Sequence, residues 1–131
     1  MVCLDTSVLI ALIRKDRAAV GALEAEAEKG GVVSTTPVNL CELYAGAAGA
    51  REPGRELSRV DELVARLVVL EFGAGAARRY GELARAEALR REPIGDFDMM
   101  IASIALQHKE RLATRNVKHF VRVPGLVVEE W

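Results

Sequence analysis

Three carboxylates lie where apolar side chains are the rule. Asp5 is the only charged residue among the first thirteen, MVCLDTSVLIALI. Glu42 is the only one between Pro37 and Ala50, and at helical spacing it shares a face with Val38, Cys41 and Ala45. Asp98, in IGDFDMMIAS, falls on the helical face of Ile101, Ala102 and Ala105. An ionised carboxylate buried alone is very costly, so it must be paired, protonated or bound to metal. Carboxylates gathered in one place also raise one another's pKa, and a divalent cation removes that cost. With oxygen ligands alone, Mg²⁺ or Mn²⁺ is favoured over zinc. Such a centre can orient a phosphodiester, activate a bound water and neutralise charge on the leaving oxygen.

Each acid also has a plainer reading. Asp5 can cap the helix that follows it, Glu42 can pair with an arginine in the core, and Asp98 can favour a helix N-terminus through the macrodipole. Asp96 directly follows Ile94-Gly95, the best N-cap position, so a cap outweighs a ligand there, with a role behind the ligands left open. Thr6, Ser7, Thr114 and Asn116 are cap or turn formers that can also hold a metal-bound water. His108 and His119 sit in polar surroundings and read as surface residues. Arg78-Arg79 and Arg90-Arg91 read as solvated faces, although phosphate contacts need no fixed motif.

The elements that must position these acids are short. VCL (2–4), VVS (32–34), VVLEF (68–72), LAT (112–114) and LVV (126–128) are apolar runs without alternation, the pattern of buried strands. Between them the spacing predicts helices. One starts at Thr6 or Ser7 and runs to about Lys15. The next is capped by Asp16 and runs to Lys29, and another is capped by Thr36 with Pro37 in its first turn. After a turn at Arg51–Gly54 comes a helix through Leu57, Val60, Val64 and Leu67. A single helix over Ala76–Arg90 follows, then one from the IGDFD stretch to Gln107 and a short turn of helix at Val117–Phe120. Strands alternating with helices predict an α/β fold, a parallel central sheet of about four to five strands covered by helices on both faces. Sites in such sheets lie beyond the carboxyl ends of the strands. Asp5 ends the first strand, and Thr114, Arg115 and Asn116 follow a later one, so the topology can bring them to one edge.

Composition bounds the rest. With 131 residues, half of them apolar but only 5% aromatic, the chain predicts one domain over 1–131 with a core of Ala, Val, Leu and Ile. The formal net charge of −1 points to no partner, and its distribution adds a mild basic bias over residues 78–122 between more acidic ends. Cys3 and Cys41 lack zinc-type spacing and read as two buried thiols of a reducing cytosol. The start lacks a basic segment and Asp5 precedes its apolar run, so no signal peptide and no membrane span are expected, and a cytoplasmic location follows.

These pieces resemble the PIN-domain nucleases, in particular the VapC toxins of toxin–antitoxin pairs. The matching stretches are VCLDTSVLIALI, TTPVNLCELYAGA, IGDFDMMIASIAL, LATRNVKHF and PGLVVEEW, in the family's order over nearly the whole chain. The resemblance implies a PIN fold and a Mg²⁺- or Mn²⁺-dependent endoribonuclease leaving 5′-phosphate and 3′-hydroxyl ends. Asp5, Glu42 and Asp98 take the places of three acidic metal ligands, and Thr6 or Ser7 that of the hydroxyl after the first acid. Asn116 falls where many members carry a fourth aspartate, which bears on a second metal ion; an asparagine can still hold a water. Arg115 is a candidate for an RNA phosphate. The implied partners are RNA, a cognate antitoxin and a second copy in a homodimer. The alternative is a non-catalytic PIN-like module for binding RNA or protein. A haloacid-dehalogenase reading fails at Ser7, where a second aspartate is needed, and a receiver reading fails at Glu71-Phe72-Gly73, which lacks the acceptor aspartate.

Overall fold

The computed structural model describes residues 1–131. Five short strands alternate with eight helices. In chain order they are β1 (Val2–Leu4), α1 (Thr6–Ile13), α2 (Arg17–Glu28), β2 (Val33–Thr35), α3 (Pro37–Ala48), α4 (Pro53–Val64) and β3 (Val68–Val69). Then come α5 (Ala74–Leu83), α6 (Glu87–Arg91), α7 (Asp96–Gln107), β4 (Arg111–Thr114), α8 (Val117–Phe120) and β5 (Val128–Glu130). The sheet order is β3-β2-β1-β4-β5, and every pairing is parallel. The expected α/β architecture is the one observed.

Strand alternation explains why both faces must be covered. Val2 and Leu4 of β1 point to one side, where they pack with Val8 and Leu9 of α1, Leu43 and Ala47 of α3, and Val60 of α4. Cys3 points to the other side, into a cluster with Ile101, Ala102 and Ile104 of α7, Leu83, Leu89 and Phe120. Its register partner Leu112 goes with Cys3, and Ala113, opposite Leu4, goes with Leu4. A strand buried on both faces has no polar face to show, hence the unbroken apolar runs.

Several boundaries differ from the sequence pattern. The expected helix over 76–90 is two helices with an extended Ala86 between them. Leu83 and Leu89 are six residues apart and would point to different sides of one helix, yet both enter the same core cluster. The break turns both inward. VVLEF forms a strand only at Val68–Val69, half-exposed at the sheet's edge, with Leu70 turned into the core. α4 starts at Pro53, inside the expected turn. The last strand starts at Val128, where the 126–128 run ends, and continues through the polar Glu129-Glu130. Cys3 is buried as expected but Cys41 is exposed, on the outer face of α3.

The amino edge of the sheet is closed by ions. Arg111, first residue of β4, bonds the Glu26 carboxylate of α2 and reaches Glu129 of β5 at 2.8 Å. The Glu26 side chain is only 7% exposed. The Arg111 guanidinium beside it holds its carboxyl below the usual range. A lowered folded-state pKa contributes stability above the unfolded value that is lost as pH falls through the folded one. Glu26→Gln is therefore expected to melt lower than the parent at neutral pH. The two melting curves should converge on acidification, and a gap that widens in acid would refute this role.

Candidate metal centre at the carboxyl edge of the sheet

From β1 the chain winds outward to β2 and β3, then returns to the other side of β1 with β4 and β5. The reversal opens a crevice beyond the carboxyl ends of β1 and β4. Asp5 follows β1 there, Thr114 ends β4, and Thr35-Thr36 close β2 into α3.

Asp5 occupies the N-cap position of α1 but makes no side-chain cap. Its backbone N–H donates to the Ala113 carbonyl at 2.9 Å, which locks it to β4. Its carboxylate, in a residue 5% exposed, instead accepts from three side chains. These are Asn39 Nδ2 at 3.1 Å, Thr114 Oγ1 at 2.7 Å and Ser7 Oγ at 3.2 Å. The simple cap reading of Asp5 is thereby excluded. Burial pushes its carboxyl above the ordinary range, partly offset by the Thr114 hydroxyl, and the charge of Asp98 adds to the rise. Thr6 and Ser7 do not cap either, since both lie inside α1. Thr6 Oγ1 donates to Glu42 Oε1 at 2.6 Å, and Ser7 Oγ accepts from the Arg115 N–H at 3.0 Å.

Glu42 lies at the margin of the buried face of α3, which carries Val38, Asn39, Leu43 and Ala47. Of the face expected from the sequence, only Val38 is buried; Cys41 and Ala45 are exposed. Burial raises the Glu42 carboxyl, and the charges of Asp5 and Asp98 raise it further. Asp98 stands in the first turn of α7 above fully buried Ile101, Ala102 and Ala105, its side chain 18% exposed. The N-cap of α7 is Gly95, whose φ of 92° is the left-handed conformation that glycine adopts without cost. Asp96 is thus the first helical residue and not the expected cap; its carboxylate accepts from the Tyr80 hydroxyl at 3.2 Å.

Two residues of this network carry no clear signal in the sequence. Asn39 is fully buried and ties two of the acids together. Its Nδ2 donates to Asp5 and, at 2.9 Å, to Thr6 Oγ1, while its Oδ1 accepts from Thr36 Oγ1 at 2.7 Å. Thr6 passes the link on to Glu42. The one available hint was its place three residues before Glu42 on a helix. His119, read from the sequence as a surface residue, sets Nδ1 2.9 Å from Asp98 Oδ2 and 2.8 Å from the Asn116 side-chain amide. An ionised carboxylate only accepts, so the bond to Asp98 needs the proton on Nδ1, whereas the Asn116 Nδ2 facing the same nitrogen needs its lone pair; the ring serves one partner or the other according to its tautomer. Arg115, the candidate for an RNA phosphate, has its guanidinium engaged by the Asp16 carboxylate and, at 2.8 Å, by the Trp131 carbonyl. A phosphate there would have to compete with both.

Asn39→Ala is expected to destabilise the fold by about 1–3 kcal/mol, because Asp5 and Thr6 lose a buried donor. Urea unfolding in chelator at neutral pH reads this; an unchanged midpoint would mean that the amide holds nothing.

With this geometry in hand, comparison with known proteins is decisive. Residues 2–126 match the PIN domain family. The chain belongs to the PIN-domain family. Among its relatives, the tRNA(fMet)-specific endonuclease VapC of Shigella flexneri is 34% identical over 128 residues, 98% of this chain and 96% of that one. Ribonuclease VapC2 of Rickettsia felis is 31% identical over 103 residues, 79% of this chain and 77% of that one. The solved structure of VapBC2 from Rickettsia felis bound to a promoter DNA fragment superposes with a TM-score of 0.92 at 29% identity, covering 100% of this chain and 99% of that one. DNA-bound VapBC from Salmonella typhimurium gives 0.89 at 29%, with 100% and 99% covered.

The acids of this PIN domain do not meet around one point as expected: no three His, Cys, Asp or Glu side chains stand gathered at metal-holding separation. Each carboxylate faces a donor of its own, Asp5 the Thr114 hydroxyl, Glu42 the Thr6 hydroxyl and Asp98 the His119 ring. Their mutual charge still raises Asp5 and Glu42. The donor set fits a hydrated hard cation. Mg²⁺ keeps several waters and takes only one or two carboxylates directly, so a looser set of acids suits it. No helix of this PIN domain is long and apolar enough to cross a membrane.

Proposed function

We propose that this chain is a divalent-cation-dependent endoribonuclease, the toxin of a toxin–antitoxin pair. What supports the reading is the set Asp5, Glu42 and Asp98 about the carboxyl edge of the sheet, with burial chiefly raising Asp5 and Glu42 and the charge of Asp98 adding to the rise. Membership of the PIN-domain family and similarity to VapC ribonucleases support it. The VapBC complexes among the similar structures support a cognate antitoxin as partner. A second copy of the chain in a homodimer is part of the same proposal.

Asp5 and Asp98 would hold Mg²⁺ or Mn²⁺, with Glu42 reaching it directly or through water. When bound, the cation supplies Lewis-acid stabilisation of the phosphoryl charge and lowers the pKa of water in the site. The chain's own residues do the rest. Thr114, Asn39 and Ser7 fix both oxygens of Asp5, so that acid is held in one orientation. Thr6 holds one oxygen of Glu42 and leaves the other free to accept a proton from water. His119 orients Asp98, and Asn116 beside it offers a neutral acceptor or donor to a water. Asp96 acts one step back, bonded to Tyr80 at the start of the helix that carries Asp98.

The competing reading, a non-catalytic PIN-like binding module, has two observations in its favour: Asn116 in the place of a fourth acid, and acids that are not gathered at metal-holding separation. Purified chain incubated with structured RNA, with Mg²⁺ or Mn²⁺ and with excess chelator, separates the two. The enzyme reading expects cleavage that chelator stops and restored cation revives. Folded protein that binds RNA without cutting it under any of these conditions would establish the module.

A further inference from the structure

Two cavities lie side by side along α1, α3 and α4. One, of about 400 Å³, has Glu42 in its wall above Ile10, Leu43 and Val60. The other, of about 540 Å³, is walled by Arg14, Lys15, Arg59 and Arg66 over Leu12 and Leu63. Ile13, Arg14 and Arg59 belong to both, so the two form one trough that leads from Glu42 to the C-terminal end of α1. The far part holds four cations against one acid, Glu62. Arg14, Lys15 and Arg66 take part in no ion pair; Arg59 reaches Glu56, in the wall of the nearer cavity, at 3.2 Å. The cations come from two stretches some 45 residues apart in the chain, Arg14-Lys15 and Arg59–Arg66. Only the packing of α4 beside α1 brings them together, and neither stretch lies in the basic 78–122 section.

We propose that this trough carries the phosphodiester backbone of the RNA strand on one side of the scissile bond, through Arg14, Lys15, Arg59 and Arg66. The assignment rests on the ribonuclease reading and adds the path of its substrate. Three features point to a polyanion held by its backbone. Three cations without an ion-pair partner, Arg14, Lys15 and Arg66, line an open groove. The groove is continuous with a wall residue of the candidate metal centre. No aromatic side chain lines it, so nothing there would stack a base, and the contacts carry no sequence information.

The test uses the full chain carrying Asp98→Asn, so that RNA stays intact, and a labelled single-stranded RNA titrated over a salt series. Each phosphate contact on a single strand adds about 0.7 to the slope of log affinity against log salt. Adding Arg14→Gln and Arg66→Gln should therefore flatten the slope by about 1.4. Lys29→Gln with Lys109→Gln, on the far edge of the sheet, should leave it unchanged. In the cleaving parent, the same trough pair should lower kcat/KM on long RNA and leave a dinucleotide untouched. RNA bound and cut by the parent, with an unaltered slope in the trough pair, overturns the trough alone. A trough pair that binds RNA normally but loses affinity for polyglutamate assigns the groove to an acidic protein partner and also overturns it. A folded parent that neither binds nor cuts RNA overturns the ribonuclease reading and the trough with it.

Discussion

Asp98→Asn is expected to slow RNA hydrolysis by about three orders of magnitude while the protein remains folded. The size follows from the role. A cation at a phosphoryl centre supplies several kcal/mol of charge stabilisation, and each 1.36 kcal/mol is a factor of ten in rate, so loss of about 4 kcal/mol gives roughly a thousandfold. The variant keeps the shape of the side chain and an oxygen to accept from His119, but removes the charge that a cation needs. Folding should tolerate the change. Asp98 loses its favourable place in the first turn of α7, worth about 0.3–1 kcal/mol. Against this, Asp5 and Glu42 lose a neighbour whose charge raises them both. Single-turnover cleavage with saturating RNA, beside a thermal melt, gives both answers. A natively folded variant that retains more than about a tenth of the parent's rate would remove Asp98 from the reaction, since that leaves it less than about 1.4 kcal/mol of the barrier.

The same residue shows what the sequence carried and what it could not. Asp98 stood out because its helical spacing to Ile101, Ala102 and Ala105 is a local property, and those three are indeed fully buried. Asp5 stood out for a similar reason, at the end of a three-residue apolar strand that the sheet buries on both sides. Pattern alone therefore located the acids and the sheet edge that holds them. It misjudged rotation on α3, where Glu42 sits at a margin and Cys41 faces outward, because an Ala- and Gly-rich helix offers weak contrast between faces. It also missed the break between α5 and α6, which no Gly or Pro marks; there the burial of both Leu83 and Leu89 overrides a sequence of good helix formers. Asn39 and His119 were beyond reach for another reason. Their roles are defined by partners 34 and 21 residues away, and hydrogen bonds across the fold leave no spacing to read. The trough is the extreme case, four cations from two stretches far apart in the chain that become a basic surface only after packing.

Mg²⁺ or Mn²⁺ should raise the melting temperature of the parent and leave that of Asp98→Asn nearly unmoved. Without a cation, Asp5 and Glu42 are held above their ordinary carboxyl range by burial and by neighbouring charge. Folding is thus opposed by these groups when they ionise, and their contribution to stability falls as pH rises from the ordinary carboxyl range through the raised values. A cation that binds only the folded site reverses the relation. It favours the ionised acids, so its binding releases protons and tightens over that same pH window. At a hundred times its dissociation constant it stabilises the fold by about 2.7 kcal/mol. The signature is thus a melting shift that grows with pH in the parent and is lost when one acid is neutralised. Equal shifts in parent and variant would mean that the ion binds elsewhere on the surface. Absence of any shift at saturating cation would break the link between these three carboxylates and metal-assisted chemistry, whatever the resemblance of the fold.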